Sequence, residues 1–225
     1  MTEINPIFQI VILIFSVIIH EVSHGAMALA FGDRTAEYDG RLTLNPLKHI
    51  DIFGSIILPL LLFFSHAGFM IGWAKPVSYN PYNLKHARIA EPLVAFAGPL
   101  SNILIAIIFG LLIRFLPVSG DQMVNLILIF SYIVLINISL AIFNLIPIPP
   151  LDGSKILFSF LPAGRFVFSQ SAARYGLVVL FFIIALVPNF VFPIISFYDS
   201  HLLLPLLYCH ALRHPYEKLK LIQKQ

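Results

Sequence analysis

The chain has 225 residues, 59% of them hydrophobic and 11% charged, with a mean hydropathy of +0.90 and a net charge of +3. Soluble domains carry about 25% charged residues, so a water-soluble globule is excluded. No basic run resembles a nucleic-acid footprint, so no nucleic-acid partner is expected, and the single cysteine, Cys209, excludes an intrachain disulfide.

The long apolar runs predict an all-α polytopic membrane protein of about 4–6 spans, folded as one integral-membrane domain over residues 1–225. Residues 6–31 form the first span, long enough for a bilayer core of roughly 30 Å. The start of the chain lacks a positively charged region, so a cleaved signal peptide is not expected. Gly32 and Asp33 end the span. In the connection 33–51, residues 41–44 alternate behind the turn pair Asp39 and Gly40, and they read as a short membrane-associated β element. Residues 52–73 are apolar but punctuated by Gly54, Pro59, His66, Gly68 and Gly72. Residues 87–116 form the third apolar stretch. Residues 124–153 form a span that ends in a Pro-rich turn, and residues 176–208 hold one or two C-terminal spans before a basic tail.

Inside the first span lie His20, Glu21 and His24. An ionisable side chain at the centre of a membrane helix costs roughly 2.5–3.5 kcal/mol, so a group of them needs a partner that offsets the cost. Residues i and i+4 differ by about 40° around a helix and about 6 Å along it, so both imidazoles point to one place. H-E-x-x-H on a helix is the spacing that binds zinc. Glu21 projects differently and can take a proton from a metal-bound water.

A catalytic zinc site takes three protein ligands and leaves one position open. The carboxylates in or beside apolar segments are Asp51, Glu91, Asp121, Asp152 and Asp199. Asp152 stands out, because it follows a span directly and Pro147, Pro149 and Pro150 hold its loop out of helical conformation. Gly153 lets the chain turn after it. The competing reading makes Asp152 the N-cap of the next helix. His49 is either a neighbour that supports the ligands of the site or a surface or interfacial histidine. Trp73, Tyr79 and Tyr82 suit an interfacial aromatic belt.

His20, Glu21 and His24, followed far downstream by Asn144, Pro147, Leu151, Asp152 and Gly153, resemble the site-2 protease family of intramembrane zinc metalloproteases. That family carries H-E-x-x-H on one membrane helix and N-x-x-P-x-x-x-L-D-G on another. Ala97, Gly98 and Pro99, and the segment 40–46, resemble its small bacterial and archaeal-type members. The resemblance implies one Zn2+ per chain held by His20, His24 and Asp152, Glu21 as the catalytic acid/base, and Asn144 assisting substrate or transition-state binding. It implies a transmembrane segment of a membrane protein as substrate. No PDZ or nucleotide-sensing domain is read in the chain, and Ser154 stands where the family usually has a second glycine. A metal-transporting or metal-binding protein without hydrolysis is the alternative, and Glu21 beside the ligands argues against it.

Bringing the histidines and Asp152 to one depth requires the fourth apolar segment to run parallel to the first and the third to run opposite. Residues 52–73 must then begin and end on one face, as a re-entrant segment, around a core of three transmembrane helices that carries the zinc site. Arg34, Arg41, Lys48, Lys75, Lys85, Arg88, Lys155, Arg165 and Arg174 would share one side, with Arg114 opposite. By the positive-inside rule that side is cytoplasmic, and the active site of this multi-pass cell-membrane protein lies nearer that face.

Overall fold

The computed structural model describes residues 6–57, 61, 64, 75–116, 121–160 and 176. Among the described residues every regular element is helical. In chain order these are α1 (Pro6–Ala30), the short α2 (Thr35–Tyr38), α3 (Ala87–Phe115), α4 (Asp121–Leu145) and the short α5 (Asp152–Ser159). Single helical turns at Pro46–Lys48, Ile52–Ile57 and Pro81–Asn83 interrupt the connections. Among the described residues three stretches are long and apolar enough to cross a membrane: Ile7–Ala30, Ala87–Phe115 and Asn125–Leu145. Their outward residues, such as Ile7, Ile10, Ile107 and Leu111, are large, apolar and exposed on the protein, as a lipid-facing surface requires.

The three long helices pack in the predicted directions. His24 reaches the Val94 carbonyl, and Gly98, one turn further along α3, lies against His20, one turn back along α1. The two helices are therefore antiparallel. Tyr132 bonds Gln9 and Asn137 bonds Ser16, so α4 runs parallel to α1. Small residues permit this close approach: Ala28, Ala90 and Val94 form the α1–α3 contact with Leu84, and Met27, Phe31 and Tyr79 pack around it. Tyr79 thus packs on this contact from the connection that enters α3.

α1 stops where Gly32 adopts a left-handed φ of +97°. The Asp33 N–H then reaches back to the Ala28 carbonyl at 3.0 Å, which satisfies an orphan carbonyl of the last turn. Asp33 itself is fully buried. Its carboxylate accepts from Thr35 N, Thr35 Oγ1, Asn80 N and Asn83 Nδ2 at 3.1, 2.5, 2.6 and 3.0 Å. With Lys85 N donating to Phe31 O at 2.8 Å, this ties the end of α1 to the connection that enters α3.

Residues 41–44 differ from expectation: they form no strand. Arg41 N closes α2 by bonding Ala36 O, and Thr43 Oγ1 and Asn45 Oδ1 accept from Asn45 N and Leu47 N. These local bonds compete with a ladder, and alternation makes a strand only where another chain supplies the partner groups. His49 is buried, with Nε2 at 2.9 Å from Thr43 O, so it tethers this loop rather than facing an interface. The segment 52–73 is described only at Ile52–Ile57, which is helical, and at residues 61 and 64. Its flanks meet, because Lys75 N donates to His49 O at 2.8 Å. The predicted C-terminal spans, with Asp199 and His201, lie outside the described residues apart from residue 176. The charged residues Arg34, Arg41, Lys75, Lys85, Arg88 and Lys155 gather at the end where α1 stops and α3 starts, while Arg114 occupies the last turn of α3.

Candidate metal centre

The structure brings His20, His24 and Asp152 together. His20 Nε2 and His24 Nε2 are 3.0 Å apart, and Asp152 Oδ2 lies 3.2 Å from the first and 3.0 Å from the second. All three residues are buried. The helical spacing of α1 supplies the two imidazoles. α4 and the turn after Leu145 deliver the carboxylate, because α5 starts at Asp152 with Leu151 as its N-cap and no side-chain cap bond. Asp152 is therefore not spent as a helix cap; its carboxylate points at the histidines.

Three atoms of lone-pair character facing one point are the arrangement a cation holds. His24 Nδ1 lies 2.7 Å from the Val94 carbonyl, which can only accept, so Nδ1 carries the proton and Nε2 presents a lone pair. Tetrahedral ligands roughly 2.0–2.1 Å from zinc lie about 3.3–3.4 Å from one another, close to the observed separations. The donor set of two imidazoles and a carboxylate suits zinc, so the residues fit the ion that H-E-x-x-H implies.

Residues outside the motifs shape this triangle. Gly98 faces the imidazoles, and a Cβ there would lie 2.4 Å from His24 Nε2 and 2.6 Å from His20 Nε2. Pro99 follows it inside α3, where a missing N–H loosens the helical ladder. Lys155 Nζ donates to Asp152 Oδ1 at 3.1 Å, leaving Oδ2 to the histidines, and it also sits over the Tyr79 ring. Its signal in the sequence was a lysine one turn after the aspartate. Gly153 is needed for contact rather than for a turn: it is helical, and a Cβ would lie 2.2 Å from Leu145 O. Ser154 fits in place of glycine because it is buried with its hydroxyl on Leu151 O at 2.7 Å.

Glu21 stands beside the triangle and not in it. Its Oε2 accepts from Val77 N at 2.9 Å, which fastens residues 75–80 across α1. Arg41 binds the Pro76 carbonyl on the same stretch. Asn144 Nδ2 donates to Leu140 O at 3.0 Å, within its own helix. His49 bonds Thr43, as above, and His66, His201, His210 and His214 lie outside the described residues.

Two imidazoles on a membrane-length helix and a carboxylate just past another, with a second carboxylate alongside, are the side-chain set that a metallohydrolase embedded in the bilayer requires. The Peptidase family M50 profile matches residues 118–187. YwhC of Bacillus subtilis, named as a candidate zinc metalloprotease, is 39% identical over 177 residues, covering 76% of this chain and 77% of that protein. Rip2 of Mycolicibacterium smegmatis, named in the same way, is 32% identical over 141 residues, covering 62% of this chain and 52% of that protein. MJ0611 of Methanocaldococcus jannaschii, also named so, is 42% identical over 64 residues, covering 28% of this chain and 31% of that protein. The chain belongs to peptidase family M50, the site-2 proteases, and is a multi-pass membrane zinc metalloprotease. No solved structure matches it.

Proposed function

We propose that His20, His24 and Asp152 hold one zinc ion per chain, and that the protein cleaves peptide bonds within transmembrane segments of other membrane proteins. The observation that carries this is the buried triangle of Nε2, Nε2 and Oδ2 atoms with Glu21 held beside it by a separate bond. Zinc, when bound, supplies Lewis acidity toward water and the scissile carbonyl. The chain does the rest. Val94 O fixes the tautomer of His24, and Lys155 keeps one oxygen of Asp152 directed at the histidines. Val77 N–H orients Glu21, whose carboxylate takes the proton of the attacking water and returns it to the leaving amine. Asn144 would stabilise the developing oxyanion after its amide turns from Leu140 O.

A helix hides its peptide bonds, so the substrate must unwind first. Residues 41–44 are suited to receive it by strand addition, because no described residue pairs with them in a ladder. Leu42 packs near Gly25, one turn past Glu21 on α1, where a Cβ would lie 2.7 Å from its Cδ2. The bond between Lys75 and His49 supports residues 52–73 as a re-entrant segment, and the shared end of the basic residues supports a site nearer the cytoplasmic face.

A transporter would have no use for a carboxylate positioned beside the ligands without joining them. Glu21→Gln in purified protein separates the two readings. The amide oxygen still accepts from Val77 N, so zinc is retained while cleavage falls by about 10²–10⁴-fold. Cleavage at the parent rate would refute the role of Glu21.

A further inference from the structure

One turn deeper than the metal triangle, the three long helices meet in a polar layer that neither motif explains. Stepping from His24 with Val94 to His20 with Gly98 fixes the register of α1 against α3. A further step of four residues in each helix brings Ser16 level with Asn102. Phe109 and Phe130 meet edge to face with ring centroids 5.0 Å apart, and seven residues from them along antiparallel α3 and α4 lie Asn102 and Asn137. The two registers close on each other, because Asn137 Nδ2 donates to Ser16 Oγ at 2.9 Å. Asn102 and Asn137 are fully buried, and Ser16 is 4% exposed.

Within and beside this layer three buried side-chain atoms have no hydrogen-bond partner: Asn102 Nδ2, Asn137 Oδ1 and His20 Nδ1. The Asn137 amide cannot be reversed to relieve this, since Nδ2 also donates to the Ile133 carbonyl at 2.8 Å. Ser101 Oγ lies 3.4 Å from Asn102 Oδ1, leaving the Asn102 N–H groups free. Each orphan in an apolar surround costs about 1–3 kcal/mol. With Nε2 given to the metal, His20 Nδ1 carries a proton and donates. The inventory is thus two donors and one acceptor, which one water satisfies by accepting twice and donating once, about the number of bonds a buried water makes.

We infer that Ser16, Asn102 and Asn137 build a site for one buried water that accepts the His20 Nδ1 proton and so orients that ring for the metal. Asn102 and Asn137 are positioning residues for His20, doing through water what the Val94 carbonyl does directly for His24. The inference rests on the metal reading of the triangle, and it predicts that zinc affinity depends on residues a full turn from the ligands. Outer partners of ligating histidines set metal affinity by about 10–100-fold.

The test is zinc retention against a competing chelator in bilayer-reconstituted protein, together with solid-state NMR of the 15N-histidine-labelled, zinc-loaded parent. Asn137→Leu, close in volume but without an acceptor, should lose zinc about 10–100-fold more readily, and Asn137→Ser should recover most of that loss. In the parent, magnetisation should pass from water to the Nδ1–H of His20, identified by its disappearance in His20→Ala. Parent-like zinc retention in folded Asn137→Leu, or a His20 Nδ1–H with no transfer from water, would overturn the inference. The NMR measurement on the parent decides the matter even where Asn137→Leu fails to fold. A parent that binds no zinc would instead overturn the metal reading itself.

Discussion

Gly98 sits so close to His24 that a Cβ on it would lie 2.4 Å from the Nε2 atom. The glycine in the middle of α3 is there because the imidazoles occupy the space where a side chain would be. Gly98→Ala should therefore displace both histidines. We expect zinc stoichiometry to collapse, with a stability loss of about 1–3 kcal/mol typical of overpacking. Metal analysis and thermal unfolding of the purified variant measure both; full zinc occupancy would show that the histidines relocate freely.

Lys155 holds the oxygen of Asp152 that the histidines leave. Lys155→Met keeps the length of the side chain but frees Oδ1. Zinc affinity should fall about 10–100-fold, as for other partners of metal ligands, with the helical fold intact. Chelator competition and circular dichroism read these separately.

Asp33 gives the fold a dependence on pH. Burial pushes its carboxyl up, but the bonds from Thr35, Asn83 and Asn80 outweigh burial and hold it below its ordinary value. A carboxyl depressed in the folded state stabilises above its unfolded pKa of about 3.9, and that contribution fades as pH falls through the lower folded value. Asp33→Asn places N–H groups against the donors of Asn80 and Thr35. It should cost about 1–3 kcal/mol near neutral pH and should flatten the acid limb of the stability profile. An unchanged acid limb would assign the pH dependence to other carboxyls.

Strand addition makes residues 42 and 43 sensitive to proline, which removes a donor and restricts the preceding residue. Leu42→Pro or Thr43→Pro should depress cleavage by at least about tenfold with zinc content unchanged, a loss of roughly 1.4 kcal/mol in transition-state binding. Cleavage at the parent rate would remove these residues from substrate binding.

The orientation in the membrane is equally open to test. A cysteine introduced in the connection 75–85 should react with a membrane-impermeant reagent only from the cytoplasmic side. Labelling from outside would reverse the topology, and with it the face nearest the metal centre.

Much of this arrangement was legible in the chain. The bilayer leaves few solutions to an apolar run, so α1, α3 and α4 follow from hydropathy and length. The i, i+4 geometry made His20 and His24 a pair wherever α1 goes, and the need for a third ligand set helix directions that the structure reproduces. Residues 41–44 show where pattern misleads: alternation records a capacity for strand pairing, and with no pairing strand among the described residues the backbone takes local Asn and Thr bonds instead. Asp152 was ambiguous for a similar reason, since an aspartate after a proline turn suits either a cap or a ligand, and only its position relative to α1 separates them.

The sequence by itself thus determined the elements, the chemistry of the donor set and the order of the helices, because each depends on neighbours along the chain or on the solvent around it. Tertiary structure alone decided why Gly98 must lack a side chain, what Asp33 ties together and that Asn137 reaches Ser16 one turn from His20. Those are contacts between residues tens of positions apart. Their cause is the fit of one helix surface against another, which no local pattern encodes.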